Sequence, residues 1–411
     1  MPLPKVICII TNAHSTGDVR LYHKIGRSLS KLGKVYVLGA SGVGNRMDDH
    51  GLYPDRASAL ETDDKPVRIV VSGTTPLFRL YHLYRQALKL KPQAVICVEP
   101  LTLLAGLWLK KKLGCKLGYD AHEYYAESHA ERYSPLLRPI IKSLYFLLEA
   151  GWQSKMDLTI TVNRDLFHLF ALSPYNRCLD KQRTGQATAI RKPGVVCPNY
   201  PTSAIWDDLN LCSSEGLLPD TRFDAVYLGG LTEERGILKL LKAIELLRQK
   251  RPHLTVLFIG RFKPEAFKER FFAYVLNNNL NSNVFWREPV SPDKVCSILH
   301  QAKLGLCVLN PALRRYRKAL PLKVLEYLAA GLPVVANYFP VVREIVEKHK
   351  LGYCVGYQKQ EIAAAMDNIL ALDEDRWKAL SEHCRQVIRT NYVWEKVEPD
   401  LLAAVQAMLL S

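Results

Sequence analysis

Two residues of opposite charge, Lys323 and Glu326, stand three apart in the otherwise apolar stretch Pro321-Leu322-Lys323-Val-Leu-Glu326-Tyr-Leu-Ala-Ala-Gly331-Leu-Pro333. Their types and spacing suit a site for a sugar carried on a diphosphate. A helix predicted over Lys323 to Ala330 opens on Pro321, whose missing N–H costs nothing at a first helical position, and Leu320 before it offers no side-chain cap. The first-turn amides therefore stay open. A cation in that turn opposes the helix dipole unless an anion docks beside it, and a diphosphate is such an anion. Glu326 follows on the same face, where a carboxylate can accept two sugar hydroxyls. The competing reading is a solvated surface ion pair, worth about a few tenths of a kcal/mol.

Three other clusters carry chemistry. The run Asp224 to Leu228 passes into Gly229-Gly230-Leu-Thr-Glu-Glu-Arg235-Gly236. Its glycines permit close backbone approach to a ligand, and Arg235 at the next helix start can neutralise a phosphate. A weaker loop, Gly260-Arg261-Phe262, follows the run Leu254 to Ile259. The run Lys116 to Tyr119 ends in Asp120-Ala-His122-Glu123, three titratable groups at a strand's carboxyl end, which serve either an active site or a hydrogen-bonded loop cap. After the first strand come His14 and Asp18-Val-Arg20-Leu-Tyr-His-Lys24. Asp18 suits an N-cap, and Arg20 and Lys24 share a helical face fit for an anion or for solvent.

The elements that must position these groups alternate. Strand-like runs at Lys5 to Ile10, Val35 to Leu38, Arg68 to Val71, Ala94 to Val98, Lys116 to Tyr119 and Leu158 to Val162 are separated by helical patterns. The second half repeats this at Asp224 to Leu228, Leu254 to Ile259, Val284 to Trp286, Leu304 to Val308 and Pro333 to Ala336. Near-continuous apolar strands between helices predict α/β architecture, with two doubly wound domains whose strand ends face across a cleft. The expected boundaries are 1–200 for an N-terminal domain, 201–222 for a linker rich in Pro, Ser, Asp and Asn, 223–393 for a C-terminal domain, and 394–411 for a final helix packing back on the first domain.

The 411 residues are 48% apolar, which supports two cores. No run reaches the roughly 18 uninterrupted apolar residues of a membrane span, and the first residues read as a strand rather than a signal peptide. Ten cysteines without metal-ligand spacing predict reduced thiols in a cytoplasm. The net charge of +16 is concentrated early: residues 1–200 hold 28 Lys and Arg against 16 Asp and Glu, whereas 201–411 hold 28 against 24. A basic face can meet a phosphorylated acceptor, nucleic acid or anionic lipid. In the predicted helix Pro76 to Lys91, Arg79, His82, Arg85, Gln86 and Lys89 oppose Leu77, Leu80, Tyr81, Leu83, Tyr84 and Leu88, a pattern read first as a core-packing helix and second as a bilayer-contacting one.

Taken in order, Asp18-x-Arg20 with Lys24, Tyr119-Asp120-x-His122-Glu123, Pro198-Asn199, Gly230 to Gly236, Pro321-x-Lys323-x-x-Glu326-Tyr-x-Ala-Ala-Gly331-x-Pro333 and Trp394 span nearly the whole chain. With these motifs the chain resembles the family 4 glycosyltransferases (glycosyl transferases group 1) of the GT-B fold, in the bacterial subgroup with a Tyr-Asp-x-His-Glu motif. The resemblance implies retaining, metal-independent transfer of a hexose-type sugar from a nucleoside diphosphate donor to a glycan or lipid-linked saccharide in surface polysaccharide or lipopolysaccharide biosynthesis. Carried over by position, Glu326 binds the donor ribose, and Arg235 with Lys323 holds the diphosphate beside Gly229, Gly230, Pro321 and Leu322. Catalysis falls to His122, at the reacting carbon of the donor sugar, with Asp120 and Glu123. His14, Asp18, Arg20 and Lys24 lie on the acceptor side. No cofactor or metal is expected. The expected partners are the nucleotide-sugar donor, the acceptor and an anionic membrane surface, with the protein in the cytoplasm on the inner face of the plasma membrane.

One position departs from the wider family. Lys318 stands where many members carry a first Glu, seven residues before the ribose-binding one, so recognition of the donor sugar cannot be carried over; Lys323 would supply charge where Gly230 replaces a second phosphate-binding Arg. Two rival readings are a nucleotide-sugar epimerase on the same fold and a non-catalytic nucleotide-sugar-binding subunit. Nucleic acid is disfavoured, since the basic residues do not interleave with aromatics on a strand array.

Overall fold

The computed structural model describes residues 5–40, 65–73, 75–175, 193–203, 223–290, 292–318 and 320–411. The expected linker at 201–222 lies almost wholly outside them, as does the side chain of Lys318.

Runs without polar alternation become strands buried on both faces. In the first unit, β1 (Val6–Ile10), β2 (Lys34–Ala40), β3 (Val67–Val71), β4 (Ala94–Cys97), β5 (Lys116–Ala121), β6 (Leu158–Thr161) and β7 (Gly194–Val196) form a sheet ordered β3-β2-β1-β4-β5-β6-β7. In the second, β8 (Phe223–Leu228), β9 (Val256–Ile259), β10 (Val284–Arg287), β11 (Ala302–Cys307), β12 (Val334–Asn337) and β13 (Gly352–Val355) are ordered β10-β9-β8-β11-β12-β13. Every pairing in both sheets is parallel. The chain divides accordingly: one compact unit ends at Asn199 and regains Trp394–Ser411, and the other contains Tyr200–Val393.

A helix of π type, Val19–Gly26, follows β1, and Asp18 caps it by accepting from the amides of Arg20 and Leu21. The first unit also contains α1 (Pro76–Leu90), α2 (Thr102–Leu113), α3 (Tyr125–Ala130) and α4 (Arg138–Gln153). The second contains α5 (Ile237–Arg248) and α6 (Leu322–Ala329), which cover opposite faces of its sheet: Ile237, Leu240 and Ile244 pack in one core, Val324, Tyr327 and Leu328 in the other. The last helix, α7 (Glu398–Leu410), packs beside β6 and β7. The Trp394 indole before it donates to Ser28 at 2.9 Å, and Glu398 pairs with Lys31 at 2.7 Å.

Two expectations need correction. In α1 the buried stripe is Leu80, Leu83 and Ala87, while Leu77 and Tyr81 are exposed. Helical spacing of 3 and 4 admits one stripe to the sheet, and Leu77 and Tyr81 fall outside it. Arg79, placed on the polar face, is half-buried and donates to Asn12 at 3.3 Å. Strand β13 was not anticipated, because Gly352-Tyr-Cys-Val355 is short and only its last residue is buried. Among the described residues, no helix is long and apolar enough to cross a membrane.

Candidate functional site

In each sheet the strand order reverses beside the first strand, between β1 and β4 and between β8 and β11. Ligands of open α/β sheets bind outside the carboxyl ends at such a point. Both sets of candidate residues lie there, one in each unit.

In the first unit, Glu99 immediately follows β4 and reaches across the reversal point. Its buried carboxylate accepts from the Thr11 hydroxyl and from the amides of Asn12 at 2.9 Å and Ala13 at 3.2 Å, so it holds the turn that leaves β1. That turn presents His14, whose Nε2 lies 3.8 Å from Glu99 and 3.1 Å from Nε2 of His122. The Tyr125 hydroxyl lies 3.3 Å from the same His122 nitrogen. Burial, then the neighbouring His14, lowers the His122 pKa to about 3, so the imidazole is neutral at physiological pH. Burial also raises the Glu99 pKa, against the pull of His14 and its three donors.

Asp120 adjoins this pair, its Oδ2 lying 3.8 Å from His122 Nδ1. Arg20 grips both Asp120 oxygens, at 2.9 and 2.7 Å, and donates to the Cys197 carbonyl at 3.0 Å. Lys24 donates to the Asn199 side chain at 2.6 Å. The expectation of an anion contact or a solvated face for Arg20 and Lys24 is therefore corrected: both are buried, and their charges tie the helix to the segment after β7. Asp18 caps that helix and lies 3.4 Å from His14 Nδ1. Glu123, expected alongside His122, is exposed and stands outside the buried cluster. Strand β5 runs two residues further than predicted, which puts Asp120 on the strand and leaves Glu123 beyond it.

In the second unit, β8 is followed by Gly229, whose φ of +129° belongs to glycine. A Cβ there would lie 3.0 Å from Lys323 Nζ and 3.5 Å from Arg235 Nη1, so both cations converge on this bare backbone. The neighbouring turn fits equally closely, since a Cβ on Gly260 would sit 1.9 Å from the Gly229 carbonyl oxygen. Lys323 donates to the Tyr227 hydroxyl at 3.1 Å and stands 4.2 Å from the ring centroid, and Tyr227 donates in turn to the Gly230 carbonyl at 3.0 Å.

The surface ion pair is overturned. Lys323 is 6% and Glu326 3% exposed, and every residue from Lys323 to Ala329 is buried. The reason is tertiary: α6 lies against the sheet on one side and the helix Glu374–Asn391 on another. Burial lowers the Lys323 pKa to about 7, helped by Arg235 and opposed by Cys307 and Glu326. Pro321 occupies the cap position with extended ψ, one residue before the predicted first turn, and supplies no side-chain hydrogen bond; Leu322 is the first helical residue. A buried, easily deprotonated amine beside a guanidinium and a glycine backbone can take up a phosphoryl anion.

Glu99, Thr11, Tyr125 and Tyr227 were absent from the candidates read in sequence. Glu99 was the findable one, since it follows an apolar strand as Asp120 does.

Residues 213–388 match the family model described as glycosyl transferases group 1. A putative teichuronic acid biosynthesis glycosyltransferase, TuaH of Bacillus subtilis, is 26% identical over 40% of this chain and 38% of its own. The lipopolysaccharide 1,2-N-acetylglucosaminetransferase of Salmonella typhimurium is 23% identical over 51% of this chain and 54% of its own. The chain thus spans about half or less of the length of these curated relatives. Among solved structures, Anabaena HepE in complex with UDP superposes with a TM-score of 0.68 at 13% identity, covering 98% of this chain and 100% of that one. A Rickettsia africae glycosyltransferase gives 0.68 at 14%, covering 99% of each. These likenesses establish the GT-B fold. Through residues 213–388 the chain is similar to the glycosyl transferases group 1.

Proposed function

We propose that the protein is a retaining glycosyltransferase of family 4 that moves a sugar from a nucleoside diphosphate to a glycan or lipid-linked saccharide, in the building of surface polysaccharide or lipopolysaccharide. The observation that carries this reading is the convergence of Arg235 and Lys323 on Gly229, with Glu326 one turn further along α6. The curated relatives from B. subtilis and S. typhimurium, named for teichuronic acid and lipopolysaccharide synthesis, support the class of acceptor.

In this mechanism Arg235 and Lys323 stabilise the departing nucleoside diphosphate, and Glu326 accepts the ribose hydroxyls. His122, neutral and aligned by His14 and Tyr125, offers a hydrogen bond near the donor sugar while an oxocarbenium-like centre develops. Asp120 and Arg20 are positioning residues in this scheme, and the acceptor is held by the first unit. Transfer proceeds without metal, in the cytoplasm.

The test is a thermal-shift panel of UDP, GDP, dTDP and CMP with EDTA present, on wild type and Glu326→Ala, followed by transfer assays with the responding nucleotide's sugars. UDP heads the panel because HepE was solved with it. A ligand at about 100 times its Kd stabilises by roughly 2.7 kcal/mol. A shift in wild type that is weak in Glu326→Ala supports the donor site. No shift from any nucleotide, with or without added Mg²⁺, refutes it.

A further inference from the structure

The outward face of α4 is apolar as far as Leu148. Leu137, Ile140, Leu144, Leu147 and Leu148 recur at spacings of 3, 4, 3 and 1, and each is between 40% and 65% exposed, while Leu136 in the preceding turn reaches 89%. Residues spaced in this way share one side of a helix. The opposite side, through Glu149, Ala150 and Gln153, is what the unit buries. A soluble surface does not ordinarily leave such a contiguous stripe in water.

The charge around the stripe selects its occupant. Between Arg132 and Leu148 the sequence holds Arg132, Arg138 and Lys142 and no acidic residue. Arg132 and Arg138 are exposed, and Lys142 is paired with Glu127 on α3. Arg138, next in sequence to Leu137 of the apolar stripe, donates to the Tyr133 carbonyl at 3.0 Å in the turn before α4. A helix with exposed aliphatics and a cationic rim matches an anionic bilayer, where leucines enter the acyl boundary and arginines meet phosphates. A second copy of the same face would instead bring like charges together at the rim.

We propose that α4 and the turn before it form a docking surface for an anionic phospholipid bilayer. The proposal deepens the reading of a lipid-linked acceptor, because it would hold the first unit at the membrane where such an acceptor resides.

The experiment is co-sedimentation of the full chain with large unilamellar vesicles of phosphatidylcholine alone or mixed with phosphatidylglycerol. Wild type is expected to pellet with the anionic vesicles only, and less as salt rises. Two double variants divide the contributions: Ile140→Ser with Leu144→Ser, and Arg132→Glu with Arg138→Glu. Each should weaken vesicle binding by about tenfold or more, while melting temperature and nucleotide-induced shift stay at wild-type values. Failure of wild type to bind anionic vesicles, or wild-type binding by both variants, overturns the proposal. So does a wild-type dimer that Ile140→Ser with Leu144→Ser converts to a monomer, because a second copy then covers the face. Loss of nucleotide response in wild type would refute the donor site and leave the vesicle result standing.

Discussion

Arg20 and Asp120, one hundred residues apart in sequence, form a two-pronged ion pair at 2.9 and 2.7 Å beside His122, with the arginine 4% exposed and the aspartate fully buried. Removing one partner leaves the other as an uncompensated buried charge. Arg20→Ala is expected to lower unfolding stability by about 3–5 kcal/mol in urea titration. Arg20→Lys should recover only part of this, since an ammonium cannot reproduce the fork. An Arg20→Ala protein as stable as wild type would show the pair to be dispensable.

Lys323, with its pKa lowered to about 7, is largely neutral at about pH 8, whereas in the unfolded chain it is charged. Its depressed value means that the native state loses stability as pH falls from the unfolded lysine range toward 7. A diphosphate beside Lys323 favours the ammonium, so nucleotide binding at about pH 8 should draw in up to about one proton. Calorimetry in buffers of different ionisation enthalpy reads this directly. Lys323→Met should bind more weakly and take up no proton; uptake equal to wild type would place the titrating group elsewhere.

Arg235→Ala and Glu326→Ala are expected to reduce donor use differently. The guanidinium serves the developing charge on the leaving group, so its loss should lower kcat by about 100-fold or more. The ribose contact is made throughout, so Glu326→Ala should raise the donor KM more than it lowers kcat. Steady-state kinetics with saturating acceptor separates the two. Identical kcat and KM changes in both variants would contradict the division of roles.

Glu149 has its pKa raised to about 8 by burial, against the hydrogen bond that it accepts from Tyr119 at 2.6 Å. An acid whose folded value lies above its unfolded value holds a proton that the unfolded chain releases. Its contribution is complete below the unfolded carboxyl pKa and is lost as pH rises through about 8. Glu149→Gln should therefore flatten stability against pH in this window, with a gain on the order of 2 kcal/mol at neutral pH. Denaturation midpoints that fall equally in both proteins across the window would refute this assignment.

His122 is held neutral by burial, with a pKa of about 3. The transfer rate should accordingly show no break from this residue between about pH 5 and 8. A break in that range that disappears in His122→Gln would mean that the imidazole titrates during turnover.

The alternation of apolar runs with helical patterns was legible in the chain because a parallel strand covered on both faces must be apolar at nearly every position. That pattern alone determined two α/β domains, all but one of the strands in the second unit, and the loops at whose ends chemistry would lie. Lys323, Glu326, Arg235 and His122 were singled out as candidates from type and spacing. Depth was not visible: the pair Lys323 and Glu326 reads in one dimension as a solvated surface pair, and only packing of α6 between a sheet and another helix buries it. Glu99 escaped notice because its partners Thr11 to Ala13 lie far away in sequence and meet it only when β1 and β4 become neighbours. For the same reason Arg20 read as an anion contact or a solvated group until Asp120 came beside it. Local pattern is set by the few residues on either side, whereas burial, ion pairing and pKa are set by residues from distant strands, which only tertiary structure brings together.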